Sequence, residues 1–535
     1  MSLIFLFIIT RLPVNFRVGR ACLFIMLLLY GIITGFGVSC IRAVIMCGLK
    51  IMASLTGRTY DVISAISFAA IITLLRSPAS LFQCDFILSY LAVTSIAVVY
   101  PVLERGLRAR KNANGMIYNI IVKPLLFSVC VNITTLPVIL LFYYDAALYS
   151  VVTGLIIIPL LSVLFVTGCL CAALGGIVPA AGMFLAGGIH YILSFYRVVC
   201  EWCVDNVYGM RITGNPGAGR VLVCYVIMAV LVCAAYGIKN RRTCVLLCAA
   251  FALLPVCVLN FNVYGGLKMT FLDVGQGDGI VMRMPDGKVV CVDGGSTDVG
   301  SLAKYRIEPY LYHEGIRHID YWIITHMDND HYSGLTDILA RRRYNGIVID
   351  NIIIADTEIC RGEFFEVFSD YKFSDYKPAV IYMDDKDSLT FGGAVLQCLS
   401  PVSSGSFYSG TDCPYKNQNE SSIVLALSYG NFDALLTGDI EGKPEEELNI
   451  DIEKEYEMLK VAHHGSKNST SGMFLGKLKC RNAVISYGKD NRYGHPHRET
   501  VERLRMRGMH VYKTAESGAV TVSVGKDGFE IEEYN

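Results

Sequence analysis

The chain has 535 residues, 53% of them hydrophobic and only 18% charged, with 47 basic and 47 acidic side chains in balance. That length exceeds what one hydrophobic core usually supports, so at least two domains are expected. The apolar excess excludes an ordinary soluble enzyme throughout, and the charge balance gives no argument for a nucleic-acid partner.

The first 262 residues are a succession of apolar runs, and most of the charge follows them. A bilayer span needs about 20 mainly apolar residues. Runs near 21–40, 62–75, 86–103, 124–142, 147–174, 178–199, 221–238 and 243–260 read as spans of a polytopic α-helical membrane domain, the second being short or re-entrant. The opening SLIFLFIIT before Arg11 reads as a truncated first span, because no small-residue cleavage site marks a signal peptide. Fourteen of the 19 cysteines are scattered through this half as small hydrophobes. The other five (Cys291, Cys360, Cys398, Cys413 and Cys480) show no CxxC spacing, so neither a disulfide framework nor a zinc knuckle is indicated.

Basic residues set the orientation. Arg105, Arg108, Arg110 and Lys111 form one block, and Lys239, Arg241 and Arg242 another; the positive-inside rule puts both in the cytoplasm. The last span then runs outward, and residues 263–535 are expected outside the cell membrane. Arg42, Arg58, Asp61 and Asp85 lie in or beside the spans. Such charges line a pathway or snorkel to an interface, and both readings stand for Arg42 and Arg58; Arg42, Arg58 and Asp61 are the channel-lining candidates. Pro101, Pro137 and Pro159 are breaks that a pore or transporter tolerates.

From Lys268 the pattern changes to short strands separated by Gly/Asp turns: MTFLDVG, GIVMRM, KVVCVDGG, YWIITH, IVLALSYG, FDALLTGD and AVISYG. Helical stretches such as SGLTDILARRR and KPEEELNI lie between some of them. Interleaved strands and helices predict an αβ sandwich with ligands at the strand ends. Polar residues gather there: His326, Asp328, Asp330 and His331 after YWIIT, Asp439 after FDALL, His463 and His464 in LKVAHHGS, and His495 and His497 in NRYGHPH. A catalytic metal site draws several N and O ligands from different strands and keeps a position open for water. Asp293, ending KVVCVD, reads equally as a site residue or a turn cap.

The constellation resembles the metallo-β-lactamase fold, an αββα sandwich whose motif reads His-x-His-x-Asp-His. The order DVGQGD, VDGG, THMDNDH, TGD, HHGS and YGHPH is similar to the C-terminal domain of ComEC-type competence proteins. GVSCIRAVIM, GRTYDVISAISFAAIITLL and TTLPVILLFYYDAALYSVVTGLIIIPL resemble that family's membrane domain. The resemblance implies a multi-pass protein of the bacterial cell membrane that passes single-stranded DNA inward during natural transformation. It further implies an external nuclease domain that hydrolyses the other strand. Further implied partners are membrane lipid, a DNA receptor and a cytoplasmic uptake motor, and a homo-oligomer is compatible. The oligonucleotide-binding-like domain common at the family's N-terminus is absent here, which implies reduced transport competence or a truncated sequence.

Asp328 stands where the general fold motif has histidine, but the competence family itself commonly reads His-x-Asp-x-Asp-His. Carboxylate for imidazole makes a harder site, moving preference from Zn toward Mn or Mg without excluding zinc. His326 and Asp328 are assigned to one metal position, Asp330 and His331 to another, and Asp439 to the bridge. One or two ions are expected, because no isolated histidine between His331 and Asp439 supplies the fold's middle ligand; Asn419 lies near that place. Neighbours on a regular strand point to opposite faces and cannot both ligate without a bend, so His464 is taken as ligand and His463 as a residue supporting the ligands or a phosphate contact. Asp330, His463 and His495 are the catalytic candidates, and Lys467, Asn419 and His497 the substrate-binding ones. A metal-activated water attacking phosphorus in line is the expected chemistry. The competing functions are a membrane-anchored phosphodiesterase for phosphorylcholine or nucleotides, and a DNA channel with a silent hydrolase domain.

Overall fold

A computed structural model describes residues 16–108, 118–147, 149–205, 210–238, 240–260, 265–369, 377–402, 415, 417–526 and 528–534. The stretch before Arg11, together with Arg110, Lys111, Lys239 and Cys413, lies outside the described residues. The chain divides into two compact units, 1–261 and 262–535.

The first unit is helical because a lipid-facing backbone must satisfy its own hydrogen bonds. Its helices are α1 (Phe16–Ile33), α2 (Val38–Leu55), α3 (Val62–Arg76), α4 (Cys84–Thr94), α5 (Tyr100–Arg108), α6 (Lys123–Tyr143), α7 (Ser150–Gly175), α8 (Pro179–Asp205), α9 (Ala218–Gly237) and α10 (Arg241–Asn260). A π turn, Ser95–Val99, joins α4 to α5 just before Pro101, which has no amide hydrogen to give. Strands β1 (Asp145–Ala147) and β2 (Met210–Ile212) pair antiparallel. Among the described residues, seven helices are long and apolar enough to cross a membrane, and Val62–Arg76 falls short of that length.

One expected span is corrected. The run near 21–40 is broken between α1 and α2, where Gly35 (φ 71°) and Phe36 (φ 49°) take left-handed backbone and the Phe36 amide bonds back to Gly31. Glycine is apolar by composition, so the run looked continuous, yet it ends helices by adopting that conformation without steric cost.

The second unit is built on two sheets. The first has the order β17 (Gly528–Tyr534), β16 (Ala519–Gly525), β3 (Leu267–Phe271), β4 (Gly279–Arg283), β5 (Val289–Asp293), β6 (His318–Ile324), β7 (Val348–Ala355), β8 (Ala379–Met383). The second runs β15 (His510–Lys513), β14 (Lys479–Ile485), β13 (Glu455–Lys460), β12 (Phe432–Leu436), β11 (Val424–Tyr429), β10 (Ala394–Ser400), β9 (Ser388–Phe391). Helices α11 (Glu308–His313), α12 (Asn329–Asn345) and α13 (Glu358–Phe368) add apolar residues to the core of the first sheet; α14 (Lys443–Glu447), α15 (Gly472–Lys477) and α16 (Arg498–Met506) follow later in the chain.

Strand alternation explains the core. In β11, Leu425 and Leu427 join the main core, which includes residues of both sheets, while Val424 and Ala426 join a second cluster with Phe474 and Leu475 of α15 and Val501 and Leu504 of α16. Both faces of the strand are thus buried, as its continuous apolar run requires. Strands β5 to β8 run parallel, as do β12 to β15. Their carboxyl ends therefore lie on one edge of each sheet, the usual position for ligand sites in such folds.

Candidate functional site

Five loops leave those strand ends and converge. Asp293 closes β5 with left-handed backbone (φ 55°), and the loop after β6 carries His326 to His331 into the first turn of α12. Thr437 to Asp439 follow β12, His463 and His464 follow β13, and the loop after β14 reaches His495. The loop between β3 and β4 supplies Asp278.

Hydrogen bonds fix the imidazole tautomers. His331 Nδ1 lies 2.9 Å from Asp293 Oδ2, and His464 Nδ1 lies 3.0 Å from the Ser486 carbonyl. Carboxylate and carbonyl only accept, so both Nδ1 atoms carry hydrogen. The Thr325 hydroxyl donates to Asp293 Oδ2 (2.9 Å) and so accepts from His326 Nδ1 at 3.1 Å. Each ring therefore offers its Nε2, and those three buried atoms have no hydrogen-bond partner among the described residues. Buried polar atoms seldom stay unsatisfied unless a ligand completes them.

Carboxylates face these nitrogens. Asp439 Oδ2 is 3.3 Å from both His331 Nε2 and His464 Nε2, Asp330 Oδ2 is 3.3 Å from His464 Nε2, and Asp328 Oδ2 is 3.3 Å from His326 Nε2. Asp278, His331, Asp439 and His464 lie close enough together to hold one ion. Burial alone would lower the basicity of His331, but Asp439 and Asp293 raise it well above the ordinary histidine value. Burial opposes ionisation of Asp330 as well, yet His464 and His331 draw it down to about 2. Surroundings that favour a proton on Nε2 equally favour a divalent cation there, which must displace that proton to bind. The nitrogen and oxygen donors fit a divalent metal of the Zn or Mn class.

His463 and His464 are not strand neighbours. Both lie beyond β13 in left-handed backbone (φ 48° and 52°), so the alternation argument that separated them is corrected. His464 is buried against Asp330 and Asp439, whereas His463 Nε2 stands 3.9 Å from Asp439 Oδ2 and its Nδ1 meets Glu441 at 3.1 Å. Asn419 Nδ2 is 3.5 Å from His463 Nδ1. The His495 ring lies 5.5 Å from that of His463 and 6.1 Å from that of His464, with Tyr493 stacked on it; burial and those two histidines push His495 down to about 4. Lys467 is exposed; its amide donates to His497 Nδ1 at 3.3 Å and its carbonyl accepts from Arg503 at 3.4 Å.

Asp293, Asp278 and Lys460 stand out beyond the expected ligands. Asp293 is no simple turn cap: it accepts from Thr325 N–H (2.8 Å) and hydroxyl and orients His331. Lys460 is buried, with its ammonium on Asp278, the Gly438 carbonyl (2.9 Å) and Asp439 Oδ1 (3.4 Å). The signal for Asp278 was its place in DVGQGD; Lys460 showed only as a lysine among apolar strand residues. In the helical unit, Arg42 donates to the Ser89 carbonyl at 2.8 Å, tying α2 to α4. Arg58 is exposed in the turn before α3, and Asp61 caps α3 through the Ser64 amide at 2.7 Å.

Comparison with known proteins accords with both units. The competence protein family matches residues 1–237, and the metallo-beta-lactamase superfamily matches residues 272–489. The chain is 25% identical over 543 residues to ComE operon protein 3 of Bacillus subtilis, covering 96% of this chain and 65% of that protein. It is 31% identical over 305 residues to Recombination protein 2 of Haemophilus influenzae (55% and 34%) and 26% identical over 362 residues to Competence protein ComA of Neisseria gonorrhoeae (67% and 46%). The chain thus spans less than two thirds of the length of each of these relatives. A match to the competence protein family followed by one to the metallo-beta-lactamase superfamily, together with these relatives, makes the chain similar in both units to ComEC-type competence proteins.

Proposed function

We propose that this membrane protein takes part in DNA uptake, and that its second unit is an external metal-dependent phosphodiesterase acting on the DNA strand that is not imported. The observation that carries the hydrolase reading is the trio of unsatisfied Nε2 atoms on His326, His331 and His464, faced by Asp328, Asp330 and Asp439. Buried polar atoms left without a hydrogen-bond partner are what a site built to receive a ligand presents.

His331, Asp330, Asp439 and His464 would hold one divalent ion, and His326 with Asp328 would hold a second. When bound, a divalent ion supplies Lewis acidity and lowers the pKa of water beside the scissile phosphate. Asp439 Oδ2 faces His331, His464 and, farther off, His463, while its other oxygen is held by Lys460. His463 and His495 flank the same space, and they orient phosphate oxygens. His497, its ring 5.1 Å from that of His495, and the exposed Lys467 bonded to it are the candidates to meet backbone phosphates. Three aspartates among these ligands favour Mn²⁺ over Zn²⁺.

The test is hydrolysis by the full chain in detergent, assayed on single-stranded DNA, duplex DNA and a small phosphodiester with Mn²⁺, Zn²⁺ or Mg²⁺. DNA cleavage abolished by Asp330→Ala supports the reading, and cleavage of the small diester alone overturns the nuclease assignment. Uptake of labelled DNA in a deletion strain tests transport: normal uptake without the gene rejects it. The positive-inside orientation is tested by protease added to intact spheroplasts, which should reach the second unit.

A further inference from the structure

Lys460 is the last residue of β13, two positions beyond Met458, and alternation turns both toward the main core. An aliphatic side chain is the ordinary occupant there. The lysine is instead 1% exposed, and each of its three ammonium hydrogens has an acceptor: Asp278 Oδ2, the Gly438 carbonyl and Asp439 Oδ1. Asp278 faces the Nδ1 side of two metal-ligand candidates, 3.9 Å from His331 Nδ1 and 3.8 Å from His464 Nδ1, and belongs to the same buried cluster as Asp439. Without the lysine, Asp278 and Asp439 would be buried beside Asp293 with no fixed positive charge between them, which a protein interior penalises heavily.

We propose that Lys460 is a built-in counter-ion of the metal pocket, holding the pocket assembled before metal arrives and moderating the affinity with which metal then binds. The inference rests on the metal-binding reading above. The ammonium neutralises Asp278, keeping that carboxylate out of the ligand set, and grips one oxygen of Asp439 so that the other faces His331 and His464. A fixed cation beside the pocket also repels a second one. Whatever Lys460 contributes to the metal-free state is therefore subtracted from what metal contributes on binding. Lys460 is a positioning residue, since it acts through Asp439 and Asp278.

The experiment uses the full chain in detergent, Mn²⁺ as probe, equilibrium dialysis for affinity and thermal unfolding of the second unit. Lys460→Met should lower the metal-free unfolding temperature by roughly 6 °C or more. It should bind Mn²⁺ at least about ten-fold more tightly, and saturating Mn²⁺ should restore most of the lost stability. Asp278→Asn should do the opposite, weakening Mn²⁺ binding several-fold, because Lys460 then loses its anchor and turns wholly to Asp439. If Lys460→Met does not fold, the sign of the Asp278→Asn effect decides alone. Affinities within two-fold of wild type in the folded variants, or weaker binding in Lys460→Met, overturn the proposal. Wild type that binds no more Mn²⁺ than His464→Ala overturns the metal reading itself, a distinct result.

Discussion

His331 Nδ1 sits 2.9 Å from Asp293 Oδ2, and the same carboxylate takes the amide and hydroxyl of Thr325. One residue at the end of β5 thus fixes two histidines, His331 directly and His326 through Thr325. Asp293→Asn keeps the shape but no longer compels Nδ1–H on His331. The expected outcome is a 10- to 100-fold loss of Mn²⁺ or Zn²⁺ affinity, the usual cost of removing a partner that orients a metal ligand. Equilibrium dialysis checks it, and unchanged affinity with intact folding rejects it.

Metal removal should be visible as stability. A ligand that binds only the folded state at 100 times its Kd adds about 2.7 kcal/mol. Chelation should therefore lower the unfolding temperature of the second unit in the wild type and have no such effect in His464→Ala. Identical responses to chelator in the two proteins contradict a metal held by His464.

Gly295 lies so close to the start of α12 that an added Cβ would collide with the backbone of Asp330 and His331. Backbone atoms on a strand-end loop cannot yield as a flexible side chain can. Gly295→Ala should cost about 1–3 kcal/mol, as overpacking does, and should shift the loop carrying Asp330. Denaturant unfolding reads the first effect and metal affinity the second; an alanine variant with wild-type values for both would show that the loop gives way freely.

Glu314 tests the scaffold away from the site. Its carboxylate meets Lys268 Nζ at 2.8 Å and His313 Nδ1 at 3.2 Å. Burial would raise its pKa, but His313 and Lys268 hold it at about 2, against an ordinary 4.5. A depressed folded-state value means the contribution is complete above pH 4.5 and is lost as pH falls toward 2. Glu314→Gln should therefore cost about 1 kcal/mol near neutrality, a partly buried pair's typical worth, and progressively less in acid. Unfolding curves at pH 7 and pH 3 check the sign: a gap that widens in acid refutes it.

Hydropathy and motif order made the architecture readable, because a membrane span and a strand-end polar cluster both leave local patterns. What stayed hidden was local geometry that composition does not record. The turn at Gly35 and Phe36 divides an apolar run into two helices, and left-handed backbone at His463 and His464 removes them from the strand on which alternation had placed them.

The sequence by itself determined two unlike halves, the edge of each strand where chemistry gathers, and the histidines and aspartates that gather there. Only the tertiary structure decided which of their atoms face inward. Asp293 selects the tautomer of His331, and Lys460 pairs with Asp278 across 182 positions of chain. Such partners are unreadable in one dimension because hydrogen bonds and ion pairs depend on separation in space, which folding sets independently of distance along the chain.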